Sequence, residues 1–185
     1  MKPNESLLDL LLELQALDRV PRMGYALRGV SEPESVTEHT FHVAFLVWTL
    51  AAQIPSIDTR RALELALVHD LAEVRTGDLP LTAARYLPAG AKLAAEAVAF
   101  EELLAPLGGP AAELVAEMAE RATPEARLVK ACDKLQLLLK VTAYKNWGGG
   151  GLDEFWENQA NFPDDEFEPV NRLFEALRQA QDPTP

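Results

Sequence analysis

The sequence predicts an all-α protein, a helical bundle with long central helices, and three observations carry that prediction. Segments between turn signals place apolar residues at helical spacing, and no stretch alternates apolar and polar residues long enough to make a strand. Proline and glycine fall in the gaps between the periodic segments, where they act as breakers.

The first helix is expected over about 5–17, with Leu7, Leu8, Leu11, Leu14 and Leu17 on one stripe and Pro21 and Gly24 behind it. Residues 19–34 then read as a connecting loop. Ser35 and Glu38 have the spacing of a capping box, which opens a second helix that ends near Ile54 and Pro55. Asp58 caps a third helix that carries the apolar run Ala62 to Val68 and stops around Thr76-Gly77-Asp78. A loop with Pro80 follows. Helices fit 90–105 and 110–121, parted by Pro106 and Gly108-Gly109-Pro110. Thr123-Pro124-Glu125 supplies a cap, a first-turn proline and a first-turn acid, and the long helix it opens runs to about Trp147, before Gly148 to Gly151. Residues 152–161 and 165–180 read as two further short helices, with a frayed end at 183–185. Phe155, Trp156, Phe162 and Phe167 either cover the core or form an interface. No internal repeat is present.

A chain of 185 residues fits one domain over 1–185, with its core at about 5–147 and a C-terminal helical extension at about 152–180. The net charge of −12 argues against a broad surface for a nucleic-acid polymer, yet a single small phosphate ester can still bind where local charges allow. The longest apolar run, Phe41 to Ile54, is interrupted by His42, Thr49 and Gln53 and falls short of the ~20 residues of a membrane span. The segment MKPNESLLDL has acids where a signal peptide is basic or apolar, and a single cysteine, Cys132, suits a reducing compartment. The expected location is the cytoplasm, with no membrane partner. Cys132 itself reads as a small buried apolar residue.

Polar, metal-competent residues occupy helix positions where the pattern asks for apolar ones. His39 shares a stripe with Val43, Leu46 and Leu50, and Asp133 shares one with Val129, Leu137 and Leu138. Both should point inward, and a buried carboxylate needs a cation, a strong donor set or a metal. Lys130, Lys134 or an arginine would serve Asp133 as an ion-pair partner. His69 and Asp70 adjoin each other in the third helix, immediately after Leu65 to Val68, and Glu73 lies four residues beyond His69 on the same helical face. Imidazole and carboxylate without thiolate suit Mn²⁺, Co²⁺, Fe²⁺, Ni²⁺ or Zn²⁺. The bland alternatives are a helix-end pair for His69-Asp70, a surface acid for Glu73 and a turn residue for Asp78. Among the arginines Arg19, Arg22 and Arg28 compete for an anion, and His42 flanks His39 without the mark of a ligand.

His39, His69-Asp70 and Asp133 resemble the H…HD…D signature of HD-domain metal-dependent phosphohydrolases. Arg19, the stretch Pro33-Glu-Ser-Val-Thr-Glu-His39, the stretch His69-Asp-Leu-Ala-Glu73 and Thr76-Gly-Asp-Leu-Pro80 extend the resemblance to the 5′-deoxynucleotidase branch, over residues 5–147. The resemblance implies one divalent ion, with Mg²⁺ also admissible, on His39, His69, Asp70 and Asp133. It implies that Glu73 orients or deprotonates water, that Arg19 binds the substrate phosphate, that Asp78 holds water or sugar, and that the protein is a homodimer. The expected activity is release of inorganic phosphate from (deoxy)nucleoside 5′-monophosphates. Val20 departs from the tryptophan that can follow the arginine in this branch, so ribonucleotides or other small phosphate esters are also expected to fit. A phosphodiesterase or other nucleotide hydrolase on the same metal is the rival within enzymes, and a non-catalytic metal or nucleotide sensor the rival outside them.

Overall fold

A computed structural model describes residues 3–162 and 166–181, and among these it contains helices and no strand. The helices are α1 (Leu7–Leu14), α2 (Met23–Ala26), α3 (Val36–Ala51), α4 (Thr59–Val68), α5 (Glu73–Thr76), α6 (Leu81–Ala84), α7 (Ala91–Leu104), α8 (Gly109–Glu120), α9 (Pro124–Asn146), α10 (Glu154–Glu157) and α11 (Glu168–Gln181). The long α9 is the axis. Its buried positions include Leu128, Val129, Cys132, Leu135, Leu138 and Val141, packed with Val43, Val47 and Leu50 of α3 and Leu65 of α4 in one core. Burial of such side chains is worth roughly 1.5–3 kcal/mol each and supplies the main driving force.

The helix starts obey local chemistry. Ser35 accepts from the Glu38 N–H, and the Glu38 carboxylate accepts from the Ser35 N–H, so the capping box that opens α3 is complete. Asp58 accepts from the N–H groups of Arg60 and Arg61 at the start of α4, and Thr123 accepts from the Ala126 N–H ahead of Pro124 at the start of α9. Each cap is worth about 1 kcal/mol.

Three expectations need correction. The first helix is α1 followed by a 3₁₀ turn at Gln15–Arg19, and it buries Leu10 and Leu17 while Leu7, Leu8, Leu11 and Leu12 stay exposed. Leucines nearly surround this helix, so several stripes fit its sequence. Its rotation is fixed by polar anchors: Glu13 accepts from Asn4 at 2.9 Å and from Arg75 at 2.8 Å, which turns Leu10 onto Leu103, Leu104 and Ala111. The third helix does not reach Thr76. It ends at Val68, tight turns from Val68 O to Leu71 N–H and from Asp70 O to Glu73 N–H follow, and α5 begins at Glu73. Gly77, at φ +71°, closes α5 in a conformation that disfavours a side chain. The expected helix at 152–161 is the single turn α10 and a 3₁₀ turn at Gln159–Asn161.

The loop expected at 19–34 contains α2 and a bridge of Pro21 with Ser35, in which the Arg22 N–H donates to Glu34 O at 2.9 Å and the Val36 N–H to Val20 O at 2.9 Å. Phe155, Trp156, Phe162 and Phe167 pack on the main core. The start of the expected helix at 165 and the tail at 183–185 lie outside the described residues. No helix among the described residues is long and apolar enough to cross a membrane.

Candidate metal centre

Four elements deliver the site. The first turn of α3 places His39 fully buried, the turn after α4 carries His69 and Asp70, α5 begins with Glu73, and the middle of α9 supplies Asp133. The Nε2 atoms of His39 and His69 are 3.3 Å apart, and Asp70 Oδ2 lies 3.5 Å from the first and 3.3 Å from the second. One ligand atom from each of these three residues falls within 4.8 Å of the others. Asp133 Oδ1 is 3.3 Å from His39 Nε2 and completes the group expected from the sequence.

The protons are accounted for on the far sides of both rings. His39 Nδ1 meets Gln136 Oε1 at 2.7 Å, and Gln136 Nε2 donates to both carboxylate oxygens of the buried Glu34, at 3.1 and 2.9 Å. A carboxylate accepts only, so it fixes the Gln136 amide with its oxygen toward His39 and requires the proton on Nδ1. Lys140 balances Glu34 at 3.0 Å, and the Glu34 N–H donates to the Tyr144 hydroxyl at 2.7 Å. His69 Nδ1 donates to Ala66 O at 2.6 Å. Both Nε2 lone pairs therefore face the two carboxylates, and a divalent cation fits this donor set of two imidazoles and two aspartates.

The electrostatics make the same demand. Burial raises the Asp70 carboxyl, but His69, Arg22 and His39 outweigh it and hold Asp70 well below the usual carboxylate range. Burial likewise raises Asp133 and is overcome by Lys130, His39 and Arg22. Burial lowers His69, yet Asp70 brings it out above its ordinary value, so the acids draw positive charge onto that ring when no metal is present. Glu73 behaves oppositely: burial, then the charges of Asp70 and Asp78, push its carboxyl up to about 9. Its Oε2 is buried without a partner, and Lys92 stands 4.0 Å from Oε1. A cation beside Asp70 offsets the charge that raises Glu73.

Arg22, not Arg19, joins this group. Its guanidinium lies 3.3 Å from Asp70, 3.6 Å from Asp78 and 3.9 Å from Asp133, and Asp78 also accepts from the Met23 N–H at 2.6 Å. Arg19 is exposed at the end of its 3₁₀ turn, because the bridge to residues 34–36 begins one residue later and carries Arg22 against the cluster. Two open cavities meet here. One of about 520 Å³ is lined by Arg22, Glu73, Asp78, Lys134 and Phe155, with Asp70 and Asp133 at its floor. The other, about 670 Å³, shares Asp70, Lys92, Lys130 and Asp133 and has an apolar wall of Leu87, Leu93, Phe100, Val115 and Met118. Val20 is half-buried and lines neither.

Glu34 and Gln136 were given no role in the sequence reading, and Arg22 stood there only as a competitor of Arg19 for the anion. For Gln136 the signal was present: it interrupts an apolar run three residues after Asp133, as Asp133 itself does. Lys130 contacts Asp133 at 2.6 Å, so the ion pair weighed against a metal exists alongside the cluster. His42 is exposed and 3.9 Å from Glu34, outside the ligand group. The Cys132 thiol is buried, and burial followed by the Asp133 charge raises its pKa. Replacing Gln136 by leucine removes the acceptor that fixes the His39 tautomer. Metal affinity, followed by titration of the chelated protein, is expected to fall about 10–100-fold, and unchanged affinity would contradict the role given to Gln136.

Comparison with known proteins agrees with the geometry. An HD domain family model matches residues 14–170. The 5′-deoxynucleotidase HDDC2 of Bos taurus is 33% identical over 161 residues, covering 84% of this chain and 77% of its own. Among solved structures, a conserved hypothetical protein from Pyrococcus furiosus superposes with a TM-score of 0.80 at 36% identity, over 93% of this chain and 99% of its own. A cyanophage S-2L HD phosphohydrolase, bound to dA and one catalytic Zn²⁺ ion, matches the full length of both chains at 25% identity and a TM-score of 0.59. The chain belongs to the HD-domain family and, within it, is similar to 5′-deoxynucleotidases.

Proposed function

We propose that the protein is a metal-dependent phosphomonoesterase that releases inorganic phosphate from nucleoside 5′-monophosphates, deoxynucleotides included. The observation that carries this reading is the convergence of two histidine lone pairs and two aspartates beside Glu73, a buried acid with one unpartnered oxygen. A divalent ion held by His39, His69, Asp70 and Asp133 would supply Lewis acidity, lowering the pKa of water and polarising a phosphoryl oxygen. Glu73 would accept or relay the proton of the attacking water through Oε2, which the protein leaves free for it. Arg22 would bind the phosphate and offset its charge in the transition state, taking the part the sequence reading gave to Arg19. Asp78 would hold Arg22 and the chain at Met23 in place and reach water or sugar from that position.

The relatives support the substrate class: one is named a 5′-deoxynucleotidase, and dA is bound in the cyanophage phosphohydrolase. The apolar second cavity favours one rival, a diesterase whose substrate has a second organic arm. A panel of ribo- and deoxynucleoside 5′-monophosphates, with chelation followed by Mn²⁺, Co²⁺, Mg²⁺ or Zn²⁺, is expected to give phosphate only when metal is restored. Glu73→Ala should abolish turnover with metal retained, and Arg22→Ala should cost at least about 10²-fold in kcat/KM, against little change for Arg19→Ala. Phosphate release that survives chelation, or cleavage of diesters alone, would overturn the reading.

We also read the protein as a homodimer of the cytoplasm. Phe41, Phe45 and Trp48 form an exposed aromatic stripe along α3, with ring centroids 6.4 and 5.7 Å apart, of the kind a second copy would cover. Light scattering should give twice the chain mass for the wild type and the single mass for Phe45→Glu; one mass for both contradicts this interface. The buried lone Cys132 supports a reducing compartment, and cell fractionation tests it.

A further inference from the structure

Lys134 follows Asp133 on α9 and lines the same cavity of about 520 Å³. Among the described residues no carboxylate lies within ion-pair distance of its ammonium, whereas its neighbours Arg22, Lys92 and Lys130 each hold at least one. Arg28, which also lines the cavity, is committed to Glu154 and to the Phe155 ring, 4.8 Å away. The hydrogen bond Lys134 does make is a donation to Asn161 Oδ1 at 3.3 Å. Asn161 is buried and fixed in turn, because its Nδ2 donates to Phe155 O at 2.9 Å. An ammonium has three donors, so two N–H groups of Lys134 remain for something in the cavity.

We propose that Lys134 is a substrate contact: together with Arg22 it takes the non-bridging oxygens of the nucleotide phosphate, and the C-terminal segment 154–161 that holds it in place is part of the active site. The inference rests on the phosphomonoesterase reading above. It assigns the extension beyond α9 a role in substrate binding, where the sequence resemblance ended at residue 147. Asn161 is a positioning residue, acting through the lysine.

The test is calorimetric titration of metal-loaded Glu73→Gln protein, which binds without turnover, using a nucleoside 5′-monophosphate, the matching nucleoside and inorganic phosphate. Adding Lys134→Gln is expected to weaken the monophosphate and inorganic phosphate about tenfold or more, as loss of a charge-assisted contact does, with the nucleoside and the metal bound as before. Lys134→Arg should restore part of the loss, and Asn161→Ala should show a smaller loss in the same direction. Monophosphate binding unaffected by Lys134→Gln would overturn the inference while leaving the phosphomonoesterase reading intact, and so would an equal loss of nucleoside affinity. A parent protein that binds neither monophosphate nor phosphate would overturn both.

Discussion

Two imidazole lone pairs and two carboxylates face one another in the interior, and the arrangement is tolerable only if positive charge sits among them. Three carboxylates, Asp70, Asp78 and Asp133, surround the single guanidinium of Arg22. Each buried ion costs several kcal/mol unless it is paired, and an Arg beside the cluster cannot enter the space between the two Nε2 atoms, 3.3 Å apart. A compact divalent cation can. The raised pKa of His69 without metal is the weaker substitute that protons provide.

The rest of the architecture follows from holding those atoms. α9 is long and largely buried, so it can carry Asp133 to the His39 ring, Gln136 to the far side of the same ring, Lys130 to Asp133 and Lys140 to Glu34 on one rigid element. The complete capping box at Ser35 fixes the first turn of α3, where His39 sits, and the short bridge beside it serves twice, placing Glu34 behind His39 and Arg22 in front of Asp70. Because α4 ends at Val68, His69 and Asp70 sit in the tight turns that follow, where both meet His39 while Glu73 approaches from the start of another helix.

Helix existence was legible wherever a cap and a period agreed, as at Ser35, Asp58 and Thr123. It was less so where leucine surrounds the helix: in α1 nothing local distinguishes Leu7 from Leu10, and the choice is made by Arg75, far along the chain, through Glu13. The break after Val68 was hidden for a related reason, since Leu71, Ala72 and Val74 keep an apolar pattern through a turn. At the site, His39, His69, Asp70, Glu73 and Asp133 stood out as polar residues in apolar surroundings, and the structure brings them together. Arg22 and Arg19 are equivalent by composition. Only the pairing of residues 20–22 with 34–36 separates them, and that contact is tertiary.

The most direct measurement is the unfolding midpoint of the chelated protein as Mn²⁺ or Zn²⁺ is added, because a ligand that binds the native state alone stabilises it by RT ln(1 + [L]/Kd). If the cluster exists to hold a divalent cation, stability should rise with the logarithm of metal concentration, by about 2.7 kcal/mol at 100 times Kd, and Asp70→Asn should flatten that rise. A midpoint indifferent to metal in the wild-type protein would contradict the account, leaving the cluster as an ion network satisfied by Arg22 and Lys130.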